Sequence, residues 1–76
     1  GERMEMIGAM VEGLSNRLAT EGGTPSDWAR LITSLAILGQ PDRARAVYDN
    51  ALQVFADSPG ALDTIRAAGS QAGVAE

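Results

Sequence analysis

Thr24-Pro25 and Ser58-Pro59 lie 34 residues apart in a chain of 76. Each pairs a hydroxyl side chain that suits a helix N-cap with a proline that suits the first helical position. The same offset aligns Trp28 with Leu62, Leu31 with Ile65, Leu14 with Tyr48 and Leu18 with Leu52. When capping signals and apolar positions share an interval, the chain repeats a structural unit rather than forming one irregular core.

Turn signals cut the chain into four segments. Over residues 2–21, Met4, Ile7, Met10, Val11, Leu14 and Leu18 recur at steps of three and four, the mark of an amphipathic helix that Gly22-Gly23 stops. A second helix opens at Thr24-Pro25-Ser26-Asp27, with Asp27 at the positive end of the dipole, and carries Trp28, Leu31, Ile32, Leu35 and Leu38 as far as Gly39. A third opens at Pro41-Asp42, carries Ala44, Val47, Tyr48, Ala51, Leu52 and Phe55, and is expected to end near Asp57. Leu62, Ile65 and Ala68 follow Pro59 as the apolar positions of a fourth, with Gly69 and Gly73 predicting a frayed end, and the closing Ala72-Gly73-Val74-Ala75-Glu76 suits a loose tail or a truncation point. β-branched residues are too sparse for strands.

Two antiparallel helices with a period of 34 are the tetratricopeptide (TPR) signature. Trp28, Leu31, Gly39, Ala44, Tyr48 and Ala51 fall where that motif places a large aromatic, Leu, a turn Gly, Ala, an aromatic and Ala. The alanines admit the second helix closely, and the aromatics fill the space between helices. Ile32, Leu35 and Ala56 depart from the motif, where a small residue, Tyr and the terminating proline are usual, and the terminating role is expected to pass to Pro59. The expected fold is all-α, with TPR-like antiparallel hairpins and about four helices in B–A–B–A register. Residues 2–21 form the helix of a preceding half repeat, 25–58 one full repeat and 59–73 a capping helix. The opening Gly1-Glu2-Arg3 reads as part of a longer protein.

Composition narrows the chemistry. The chain has no Cys and no His, and its six basic residues, all arginine, face ten acidic ones for a net charge of −4. Thiol and imidazole catalysis, tetrahedral zinc sites and haem attachment are excluded, as is Schiff-base chemistry without Lys. The acidic balance argues against a nucleic-acid partner. Catalysis would rest on carboxylates alone. Asp42 and Asp49 are seven apart and Glu12 has no acidic neighbour one turn away, so no acid–base pair is set up. No enzymatic activity, cofactor or metal is expected.

The stretch from Met6 to Leu18, with Met10-Val11, Leu14 and Arg17-Leu18, then Trp28, Leu38-Gly39 and the helix of Ala44, Tyr48 and Ala51, resembles the repeat domain of the CcmI/CycH proteins of cytochrome c maturation. The resemblance covers residues 4 to about 62. It implies a periplasmic domain of an inner-membrane protein that holds apocytochrome c by its C-terminal helix and presents it to the haem-ligation complex, itself neither binding haem nor ligating it. The absence of Cys suits such a role, since a thiol here would form mixed disulfides with a client's own. The alternative is a TPR scaffold without client specificity, which assembles subunits or pairs with itself through uncovered repeat ends. No membrane contact by these residues is expected.

In a TPR array the first helix of each repeat lines the concave groove. On this register the outward positions are Ser26, Ala29, Thr33, Ala36 and Ile37, with Arg30 nearby. Small residues there suit an amphipathic client helix, or are merely small surface residues. Met4 and Met10 are expected in the core, Met6 exposed, and Trp28 and Tyr48 as core aromatics rather than ligand-stacking ones. Arg17 reads as a solvated or snorkelling side chain. Arg43 and Arg45 are expected to pair with Asp42 or Asp49 rather than meet an anionic partner.

Overall fold

The structure, a computed structural model, describes residues 2–74, except for the side chains of residues 2–4, 7 and 19. Four helices follow one another: α1 (Glu2–Thr20), α2 (Pro25–Ile37), α3 (Pro41–Val54) and α4 (Pro59–Ala72). No strand forms among the described residues. The fold is the all-α, TPR-like arrangement of helical hairpins that the 34-residue offset predicts.

α2 is the centre of the molecule. It packs on α1, α3 and α4, and most extensively on α4, whereas α1 packs only on α2 among the described elements. Enclosure by three neighbours explains why Leu31, Ile32 and Leu35 are almost entirely sealed from solvent. Ile32 and Leu35, two of the three departures from the repeat pattern, are accommodated within this core. Val11, Leu14 and Leu18 of α1, Ala44, Tyr48 and Ala51 of α3, and Ile65 and Ala68 of α4 complete it. Trp28 is buried in the same cluster and meets Phe55 edge-on, at a centroid distance of 6.4 Å and an interplanar angle of 90°. This T-shaped geometry suits the ring quadrupoles. Among the described residues, the buried indole Nε1 has no acceptor.

The 34-residue period extends to the way helices stop. Gly39 and Gly73 are separated by that interval and share a left-handed φ of 76° and 77°. Each stop is closed by the same hydrogen bonds. The Gly39 N–H donates to Ala36 O and the Gln40 N–H to Leu35 O; the Gly73 N–H donates to Ser70 O and the Val74 N–H to Gly69 O. This is the Schellman arrangement, in which a residue without Cβ reverses the backbone and satisfies two otherwise orphaned carbonyls. The expectation of a frayed fourth helix is therefore corrected, while Ala75 and Glu76 of the expected tail lie outside the described residues. α4 runs through Gly69 to Ala72, and Val74 folds back into the core.

Other expectations change for local reasons. At α2, Thr24 Oγ1 accepts from the Asp27 N–H while Asp27 Oδ2 accepts from the Thr24 N–H, a complete capping box. Ser58 caps α4 without any side-chain hydrogen bond, its ψ of 88° contrasting with 160° at Thr24. The residue corresponding to Asp27 is Ala61, so the reciprocal acceptor is missing too. α3 ends at Val54, short of Asp57, and Pro59 is the first residue of α4.

Met10, expected in the core, is 41% exposed, and Met6 is 73% exposed. With only α2 packed against α1, its buried stripe narrows to Val11, Leu14 and Leu18. The expected core positions of Met4 and Ile7 lie outside the described side chains.

Candidate functional site

The Cα trace measures 39 × 27 × 16 Å. A helix with its side chains is about 10–12 Å across, so so thin a body leaves surface grooves rather than enclosed chambers. A groove lies between α2 and α4. Its first concavity, 410 Å³, is lined by Ser26, Ala29, Arg30 and Thr33 from α2 and by Thr64, Ala67, Ala68 and Gln71 from α4. The second, 440 Å³, shares Thr33 and Gln71 with the first and adds Ala36, Ile37 and Ala72. All six groove positions named from the sequence thus border one continuous depression.

Local sequence explains its character. Trp28, Leu31, Ile32 and Leu35 take one side of α2 into the core, leaving Ser26, Ala29, Arg30, Thr33, Ala36 and Ile37 at helical spacing on another. Thr33 Oγ1 donates within its own helix, at 3.1 Å from both Ala29 O and Arg30 O, and Thr64 Oγ1 donates to Gly60 O at 3.4 Å. The two threonine hydroxyls therefore spend their donors on backbone carbonyls and ask little of a ligand. What remains is a mainly small, apolar floor, with Ser26 and Gln71 as its uncharged polar points.

The α4 wall was not named from the sequence, yet the signal was available. Displacing Arg30, Thr33 and Ile37 by 34 residues gives Thr64, Ala67 and Gln71, three of its lining residues. A smaller concavity of 210 Å³ lies between α1 and α2, bordered by Met10, Gly13, Leu14, Arg17 and Arg30. Arg30 thus stands at the edge of both depressions.

The arginines differ in occupation. Arg17, expected to be solvated, has its Nη2 3.2 Å from Asp27 Oδ2, the oxygen that also closes the α2 cap. With the side chains 51% and 26% exposed, the ion pair is worth less than about 1 kcal/mol, and its effect is to fix how α1 meets α2. Close approach at this corner also explains Gly23, where a Cβ would collide with the Leu18 side chain and crowd Asp27. Arg43, expected to pair along its own helix, reaches Glu12 of α1 at 3.6 Å and donates to Gln40 Oε1 at 2.8 Å. Among the described residues no group of three or more His, Cys, Asp or Glu side chains is placed to hold a metal ion. None of their helices is long and apolar enough to cross a membrane.

These hairpins, their repeating stops and the groove between equivalent helices define a repeat protein built on helix pairs. A tetratricopeptide repeat family model matches residues 25–69, and the chain belongs to that family. It is similar to the cytochrome c-type biogenesis protein CycH of Rhizobium meliloti (strain 1021), with 36% identity over 55 residues. That alignment takes in 72% of this chain and 14% of the relative, so the chain spans only a small part of the relative's length. No solved structure matches it.

Proposed function

We propose that this chain is the non-catalytic protein-interaction domain of a cytochrome c maturation factor, and that it holds the C-terminal helix of apocytochrome c in the α2/α4 groove for presentation to the haem-ligation complex. The observation that carries the proposal is the continuous apolar-floored depression along α2 and α4. α2 is about 20 Å long at 1.5 Å per residue, enough to contact several turns of a bound helix. The small side chains let a partner backbone approach, while Ile37 offers an exposed apolar edge. The similarity to CycH, a cytochrome c-type biogenesis protein, supports a role in cytochrome c maturation, and the client helix and a periplasmic location on an inner-membrane protein are what the family resemblance implies.

Titrating the chain with an apocytochrome c C-terminal helix peptide and a scrambled peptide of the same composition tests the proposal. We expect saturable binding of the native order and at least roughly tenfold weaker binding of the scrambled one, since a scramble breaks the apolar face. Equal binding of the two peptides overturns the client assignment. A competing reading, self-association, is favoured by the uncovered Met6 and Met10 on α1. Sedimentation separates it, because a dimer formed through α1 leaves peptide binding intact and one formed through the groove competes with it.

A further inference from the structure

Among the described residues, Arg30 is the only charged one lining the α2/α4 groove. Its charge is positive in a chain whose net charge is −4. Arg17, the other arginine nearby, is engaged by Asp27, whereas Arg30 is exposed and its guanidinium makes no hydrogen bond or ion pair among the described residues. The groove continues on both sides of it, towards Ser26 and Ala29 in one direction and towards Thr33, Ala36 and Ile37 in the other.

We propose that Arg30 is a specificity-determining residue of this groove, selecting a helix that carries an aspartate or glutamate side chain part-way along its apolar face. The inference rests on the groove reading above and adds the chemistry of the occupant. A guanidinium presents a planar fork of donors that matches a carboxylate in two-point geometry. Placed at the edge of an apolar floor, it gives a docked helix a fixed register, which small alanine and threonine contacts alone do not provide. The mid-groove position selects an internal side chain over a terminal carboxylate, because a helix ending at Arg30 would leave half of the floor uncovered. The adjoining depression, bordered by Met10, Gly13 and Leu14, gives room for the longer stem of a glutamate.

The test is a double-mutant cycle read by fluorescence anisotropy, on the wild-type chain and on Arg30→Gln, with circular dichroism to verify that both are folded. One probe set is the amidated apocytochrome c C-terminal helix peptide, together with versions in which each acidic residue in turn becomes its amide. The other is an alanine-rich amphipathic host helix, amidated, bearing a central Glu or Gln. We expect one acidic position whose neutralisation weakens binding by roughly fivefold, an equal loss in Arg30→Gln, and no further loss when both changes are combined. The host helix with Glu should show the same cycle. Binding of every peptide to Arg30→Gln as tightly as to the wild type overturns the inference and leaves the client reading standing. A dependence on a free terminal carboxylate, absent from the amidated peptides, overturns the internal-side-chain assignment. If the host helix shows the cycle while the apocytochrome peptide does not bind, Arg30 keeps its role and the client reading falls. If no peptide binds, both fall.

Discussion

Leu35→Ala is expected to leave most of the chain unfolded at 25 °C. Leu35 is fully buried on the helix that every other helix contacts, so the vacated volume cannot collapse without moving three partners at once. Truncating such a leucine costs about 2–5 kcal/mol. A single core in a chain of this size supplies only about 3–5 kcal/mol in total, so the loss is comparable with the whole stability. Urea titration followed by far-ultraviolet circular dichroism should show a midpoint shifted towards zero denaturant, with most helical signal already lost in buffer. A midpoint displaced by the equivalent of less than about 1 kcal/mol would mean that α2 does not hold the fold together as described.

Ala67→Trp should have the opposite profile, with binding lost and the fold kept. Ala67 is exposed on α4 and borders the 410 Å³ concavity opposite Ala29 and Thr33. An indole there occupies the space a docked helix needs, yet creates no core cavity and buries no charge. Affinity for the apocytochrome c helix peptide should fall by roughly tenfold or more through steric exclusion. The urea midpoint should stay within about 0.5 kcal/mol of wild type, as for surface changes away from special features. Arg66→Trp is the control, because Arg66 is also exposed on α4 but does not border the groove. If the two tryptophans weaken binding equally, the peptide lies elsewhere.

Features governed by short stretches of sequence were legible before folding was considered. Thr24-Pro25-Ser26-Asp27 carries its own cap, and Gly39 its own stop, because the groups that satisfy each other lie within five residues. The α2 side of the groove was legible for the same reason, since helical spacing alone separates Ala29, Thr33 and Ala36 from Leu31 and Leu35. What escaped depends on how many neighbours an element has. Met10 sits on an apolar stripe of α1, but one packed helix buries less of that stripe than two would. Arg17 and Arg43 found partners on other helices because hairpin turns bring distant charges together, and periodicity within a single helix carries no trace of that. Gly69 signalled breakage in isolation. In the fold its lack of a side chain sits buried within α4, and its carbonyl accepts the bond from Val74 that closes the helix.

The unequal sharing of contacts also sets how the molecule should breathe. α1 packs on α2 and otherwise reaches α3 through the exposed Arg43–Glu12 ion pair, so it can lift away at little cost to the α2–α3–α4 body, whereas α2 is released only when α3 and α4 come apart as well. Hydrogen exchange should therefore run on two clocks. Amides of α1 exchange through a partial opening with a small free energy, and those around Leu31, Ile32 and Leu35 exchange only at the rate set by global unfolding. Because Arg30 borders the α1/α2 depression as well as the main groove, each departure of α1 also strips away one side of its surroundings. A ligand held at Arg30 would then slow the faster clock from a distance.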